Sequence, residues 1–211
     1  MPNENPPNRM LFLAVIAALT WFALIAQILL ILGNRTASVA ETIVRYASFF
    51  TIESNILIAI ASTTLLLAPA SRWSSFFAKT TTLTALTLYI LVVGIVYNSV
   101  LRHLWNPQGL QRIVDEILHS LVPALFLIAW FRWQPKKLLQ YGNILRWLLF
   151  PLLYCVYTLI RGRLSGHYPY PFMDAGQLGL PRVLINSGFV MIMFVAISFG
   201  LVWISNRRIR G

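Results

Sequence analysis

Six stretches of mostly apolar residues, separated by short polar segments, run along the chain at about 10–33, 46–68, 79–102, 111–131, 144–162 and 183–205. At 1.5 Å per residue each reaches across ~30 Å of hydrocarbon as a helix. Breakers stand where such helices should stop: Gly33-Asn34 after the first, Pro69 after the second, Asn106-Pro107 after the third and Pro135 after the fourth. The longest connection, residues 162–182, contains Tyr168-Pro169-Tyr170-Pro171-Phe172, whose prolines preclude a regular helix. The pattern predicts an all-α integral membrane bundle of six transmembrane helices. Residues 10–206 form its single domain, between a disordered tail at 1–9 and a basic tail at 207–211.

Composition agrees with the pattern. The chain is 58% hydrophobic, with 11% charged residues among 211 and a mean hydropathy of +0.70, whereas a soluble domain carries about 25% charged residues. The net charge of +11 raises the question of nucleic acid, but its arginines and lysines lie between the apolar runs. The positive-inside rule and lipid headgroups account for that placement, so no nucleic-acid partner is expected. With six spans both termini share one side, which holds ten basic residues against seven on the other and predicts cytoplasmic termini. Cys155 is the single cysteine, which excludes an intrachain disulfide and a cysteine metal cluster. His103, His119 and His167 show no ligand spacing, so neither metal nor cofactor is expected. The seven tryptophans mostly flank spans, as membrane anchors do.

Two polar clusters break the pattern, Thr51-Ile52-Glu53-Ser54-Asn55 in the second span and Asp115-Glu116-Ile117-Leu118-His119 in the fourth. A charge at the bilayer centre costs roughly 2.5–3.5 kcal/mol on insertion scales, so such residues need a partner, water or a chemical role. Both spans start from the side opposite the termini, placing Thr51 roughly 8 Å and His119 roughly 12 Å inside. Asn98 and Arg102 end the third span near that face, Tyr157 and Arg161 the fifth, and Asn186 begins the sixth. Polar groups far apart in sequence thus share one half of the bilayer, as a pocket opening toward one leaflet would require.

Thr51, Ser54 and Asn55 share a helix face, and Glu53 points about 200° away from Thr51. Back-bonding of Thr51 and Ser54 to their own helix, with Asn55 as a bridge between helices, is the structural alternative to chemistry. Asp115 and His119 are spaced i, i+4, so the carboxylate can accept a ring N–H and leave the other nitrogen free to take a proton. Arg112 can reach Asp115 and Glu116, and Glu53 with Arg102 can form an ion pair that lets both enter the membrane. The tyrosine-proline loop reads as an interfacial aromatic belt, with a lid over the pocket as the sharper alternative.

At Phe49-Phe50-Thr51-Ile52-Glu53-Ser54-Asn55 and Asp115-Glu116-Ile117-Leu118-His119-Ser120-Leu121-Val122-Pro123 the chain resembles the androgen-induced protein family of multi-span hydrolases and its bacterial six-span branch. Asn98, residues 105–109 and the loop at 168–174 are similar to the bacterial branch. The resemblance implies hydrolysis of fatty acid esters of hydroxy fatty acids, with Thr51 and His119 matching the family's intramembrane threonine and histidine. On that reading His119 is the general base, oriented by Asp115 or Glu116, and Thr51 forms an acyl-enzyme. Asn55, Asn98 and Arg102 are candidate oxyanion donors, and Glu53 and Glu116 join them as candidate substrate contacts. Acyl chains should lie among spans two, four and six, reached sideways from lipid, so the expected partners are membrane lipids or a fatty-acyl ester. Two other readings stay open. A proton-coupled transporter would use Glu53, Asp115, Glu116 and His119 as a relay, and a lipid-binding protein would use the polar layer only to hold its helices together.

Overall fold

The computed structural model describes residues 6–135 and 137–210. Helix α1 (Pro7–Gly33) is followed by the short α2 (Val39–Ala47), by α3 (Phe50–Leu67), the short α4 (Arg72–Phe77) and α5 (Thr80–Ser99), which ends in a 3-10 turn at Leu101–His103. The next span consists of α6 (Gly109–Glu116), a π-helical turn at Ile117–Leu121 and α7 (Val122–Trp133). Helix α8 (Asn143–Ser165) leads through a 3-10 turn at Pro171–Met173 and the single-turn α9 (Ala175–Leu178) into α10 (Leu180–Arg210). Among the described residues there is no strand, and six helices are long and apolar enough to cross a membrane. The fold is an all-α helical bundle of the integral membrane type.

Its surface is that of a protein solvated by lipid. Leu145, Leu164 and Phe189 are 76%, 82% and 69% exposed, within a much larger apolar exterior; a soluble monomer rarely exposes contiguous apolar patches beyond a few hundred Å². Helices α3 and α5 are central, packed on each other, with α1 against α3, α7 against α5, and α10 against both α5 and α8. Several buried hydroxyls are satisfied locally. Thr20, Thr84, Thr87 and Ser198 each donate to the carbonyl four residues back, at 2.6–2.8 Å.

Helix boundaries differ from the expectation at three places. Pro7, Asn8 and Arg9 belong to α1, because proline is favoured in the first helical turn, where no N–H partner is needed. Residues 1–5, like Lys136 among the ten basic residues assigned to the termini's side, lie outside the described residues. At the other end α10 continues through Arg207 and Arg208 to Arg210, so the basic segment extends the last helix. The second span starts at Phe50, because the chain turns at Ser48-Phe49 after α2. That corner is tied to α8: Tyr154 donates its hydroxyl to the Ser48 carbonyl at 2.9 Å, and the Ser48 and Tyr157 hydroxyls are 2.9 Å apart. It is also recessed. The Tyr46 hydroxyl donates to the carbonyl of Leu24 at 2.9 Å, nine residues, or roughly 14 Å of helix, before the end of α1.

The tryptophans divide into two groups. Trp130 and Trp147 are buried in the core, and Trp130 donates to the Thr84 hydroxyl at 2.9 Å, while Trp21 lies mid-span and donates to Thr63 at 3.0 Å. These three are packing and hydrogen-bonding residues where the sequence pattern led us to expect anchors. Prolines inside spans leave carbonyls without helix partners, and neighbouring helices supply substitutes. Pro151 frees the carbonyl of Trp147, which accepts the Tyr89 hydroxyl at 2.8 Å. Helix α8 ends at Gly166 in the left-handed conformation (φ 69°), with its N–H donating to the Gly162 carbonyl at 2.9 Å. A side chain at Gly162 would overlap the ring of Tyr168, so the start of the α8–α10 loop is laid directly on α8.

Candidate active site

Thr51 stands in the first turn of α3, where backbone N–H groups have no intrahelical acceptor. Ile52 and Glu53 donate to the Phe49 carbonyl at 2.9 and 3.1 Å, but the Thr51 N–H donates to the hydroxyl of Tyr170 at 3.2 Å. The Thr51 hydroxyl lies 3.3 Å from the same phenol oxygen. Tyr170 comes from the tyrosine-proline loop, and its side chain is buried. It stacks on Phe172 with ring centroids 5.3 Å apart and meets Phe49 edge-on. Asn186 on α10 secures the loop by donating to the Phe172 carbonyl at 2.9 Å, and Asp174 caps α9 through the N–H groups of Gly176 and Gln177. The loop is therefore an inserted plug at this residue, not an interfacial belt. Burial pushes the Tyr170 phenol above its ordinary value, so it stays protonated and able to donate through neutral and mildly basic pH.

His119 sits in the middle of the π-helical turn. The wider turn and Pro123 together disrupt the carbonyl ladder, since Pro123 offers no N–H to the residues preceding it. The carbonyl of Leu118 accepts from Asn55 Nδ2 at 3.3 Å, and that of His119 from Asn98 Nδ2 at 3.3 Å. Asn55 also donates to the Thr51 carbonyl at 2.8 Å, and Asn98 to that of Gly94 at 2.8 Å. Both amides are thus committed to the backbone that carries Thr51 and His119. Gly94 allows this approach, for a Cβ there would lie 3.1 Å from the His119 carbonyl oxygen and 3.2 Å from Pro123 Cβ.

The imidazole is oriented by two contacts. Nδ1 is 2.9 Å from the main-chain carbonyl oxygen of Asp115, which can only accept, so Nδ1 carries the proton and Nε2 the lone pair. The ring also stacks on Tyr97, with centroids 3.9 Å apart and an interplanar angle of 15°. Asp115 therefore fixes the tautomer through its backbone and not through its carboxylate, because a π-turn residue four positions on faces the helix's own carbonyls. The carboxylate accepts from Gln111 Nε2 at 3.1 Å and from the Tyr97 hydroxyl at 3.4 Å, and Gln111 reaches Gln27 of α1 at 2.8 Å.

Thr51, Asp115 and His119 line one cavity of about 350 Å³, with Tyr97, Gln111 and Tyr170. Asn55, Asn98, Arg102, Glu53 and Glu116 are absent from its wall. Arg102 forms a two-pronged ion pair with Glu116, at 2.6 and 2.7 Å, and its guanidinium lies 5.3 Å from the centre of the Tyr97 ring. This replaces the Glu53–Arg102 pair, and Arg112 forms no ion pair among the described residues. No hydrogen bond joins Glu53 to Asp115, Glu116 or His119 among those residues. Arg161 pairs with Glu41 at 2.9 Å, and Arg45 joins the same carboxylate at 2.8 Å. Those bonds, that from Arg45 first, hold Glu41 below the usual carboxylate range.

Two further spaces adjoin. An apolar chamber of about 280 Å³ shares Thr51, Leu101 and Tyr170 with the first cavity and extends between α5, α8 and α10. A polar vestibule of about 320 Å³ shares Gln27, Ile31, Trp105 and Gln111 with it and includes Arg35 and Arg45. Thr51 thus stands where the apolar chamber meets the cavity that holds Asp115 and His119. Sequence reasoning missed Tyr97, Tyr170, Gln27 and Gln111 as site residues. The two glutamines carried a signal, being amides within largely apolar spans. Comparison with protein-family models, curated proteins and solved structures gives no match to this chain.

Proposed function

We propose that this protein is an intramembrane ester hydrolase in which Thr51 is the nucleophile and His119 the general base. The reading is carried by one observation: Thr51 and an imidazole with its Nδ1–H already committed line the same cavity. Thr51 Oγ1 attacks the ester carbonyl carbon as His119 Nε2 takes its proton. The oxyanion is met by the Thr51 N–H and by the Tyr170 hydroxyl, which accepts from that N–H and gives way to the substrate oxygen. Collapse expels the alcohol, which takes the proton from His119 Nε2, and leaves an acyl ester on Thr51. Water from the vestibule, deprotonated by His119, then attacks that ester to release the fatty acid and restore the hydroxyl. Asp115 is a positioning residue, acting through its carbonyl on His119 and through its carboxylate on Tyr97.

The resemblance to the androgen-induced protein family supports fatty acid esters of hydroxy fatty acids as the first substrates to offer. The test is fatty acid release by the purified protein in nanodiscs, with a fluorophosphonate probe to trap the nucleophile. Absence of both release and Thr51 labelling across a panel of lipid esters would refute the assignment. Tyr170→Phe keeps the ring contacts and removes the donor. It is expected to lower kcat by about 10²-fold with little change in KM, the scale of one oxyanion donor. An unchanged kcat would remove Tyr170 from the reaction.

We place both termini inside on the ten-to-seven distribution of basic residues, and the protein in a bacterial cytoplasmic membrane on its resemblance to the bacterial six-span branch. A fluorescent protein fused after the last residue should then fluoresce and an alkaline phosphatase fusion should be inactive. The reverse result would invert the orientation.

A further inference from the structure

We propose that the apolar chamber is an acyl-chain site loaded laterally from the bilayer, through the gap between α8 and α10 at Gly188. Three observations converge on it. The wall is hydrocarbon and aromatic almost throughout, and its inner end is formed by the buried Thr51 and Tyr170. Its rim faces lipid: Leu152 on α8 and Leu184 on α10 line the chamber while 51% and 53% exposed. Along α10, Leu184, Gly188 and Met191 follow the i, i+4, i+7 spacing of one helix stripe, and all three line the chamber. Gly188 is the missing side chain in that stripe. It is exposed, and a Cβ there would meet nothing within 4 Å. The opening therefore lies in the part of the wall that the bilayer covers.

The occupant that fits is one alkyl chain. Water gains nothing from a chamber with so few hydrogen-bonding partners, and a lipid tail in the adjoining leaflet is already desolvated. Of the helices expected from sequence, span six lines the chamber and span two contributes Phe50 and Thr51, but spans three and five take the place of span four, which lines only the adjoining cavity. The arrangement also orients a substrate, an inference that rests on the hydrolase reading. The acyl half occupies the apolar chamber, the carbonyl meets Thr51, and the alcohol half lies in the cavity lined by Asp115 and His119, toward the vestibule and its Arg35 and Arg45.

Cys155, the single cysteine, lies on the chamber wall and reports occupancy independently of turnover. In phosphatidylcholine nanodiscs, the rate at which N-ethylmaleimide alkylates Cys155 is followed by intact-protein mass spectrometry, with and without hexadecanol. Hexadecanol present at ten times its dissociation constant should slow labelling about tenfold, and butanol should not. Gly188→Trp, or Leu184→Trp if the first variant fails to fold, should slow labelling without added alcohol, and Gly188→Ala should not. Labelling indifferent to hexadecanol, in wild type alone, would overturn the proposal. Protection that follows protein concentration would overturn it as well, since a second copy of the chain would then cover the rim. If esters are turned over, the tryptophan variant should lose long-chain activity while retaining butyrate esters. If no ester is turned over but hexadecanol protects Cys155, the hydrolase reading fails and the acyl-chain site stands.

Discussion

Thr51→Ala should abolish ester turnover, lowering kcat/KM by about 10⁴-fold or more, the scale seen when a nucleophile is removed from a unit that acts together. The loss should fall on kcat, because the hydroxyl contributes one contact to binding and a covalent bond to the reaction. Folding should survive. The Thr51 N–H keeps its acceptor on Tyr170, and the Thr51 carbonyl keeps Asn55, since neither bond uses the side chain. Only the 3.3 Å contact between hydroxyls is lost. Thr51→Ser restores a hydroxyl at the same helix position and should regain fluorophosphonate labelling. Steady-state release of fatty acid and labelling by the probe measure the two consequences separately. Turnover in Thr51→Ala equal to wild type would remove the nucleophile from the mechanism.

His119→Ala should reduce kcat by about 10²–10⁴-fold, the contribution of a positioned general base. This variant is also expected to cost stability. It deletes a ring stacked on Tyr97 at 3.9 Å and leaves the Asp115 carbonyl without its side-chain donor, a loss of about 1–3 kcal/mol. The two effects are separable, because added imidazole can enter the cavity of about 350 Å³ that His119 lines. Imidazole should restore part of the kcat of His119→Ala and none of that of Thr51→Ala. Activity that follows the thermal stability of the variants, and ignores imidazole, would make His119 a packing residue.

Much of the site was legible because membranes penalise polarity so heavily. Thr51, Asp115 and His119 stood out as polar residues in apolar runs, and they do line one cavity. Other assignments depended on information that residue spacing lacks. An i, i+4 acid and histidine predict a carboxylate–imidazole bond on a regular helix. The π-turn at Ile117–Leu121 instead turns Nδ1 to the Asp115 carbonyl and leaves the carboxylate to Tyr97 and Gln111. Asn55 and Asn98 look like free donors in sequence, yet Pro123 and the π-turn loosen the carbonyl ladder, and those amides donate to the carbonyls of Leu118 and His119. Glu53, exactingly placed by sequence in the same cluster as Thr51, turns out to lie off the cavity wall, because its helix position points about 200° away.

The sequence by itself determined the six spans and their breakers, since hydrophobic length is a local property. Tertiary structure alone decided that Arg102 pairs with Glu116, that Tyr170 is inserted against Thr51, and that the apolar chamber and the cavity of His119 share that residue. Those outcomes depend on which helix faces meet and on where freed carbonyls find donors, and such long-range pairings leave no periodic trace along the chain.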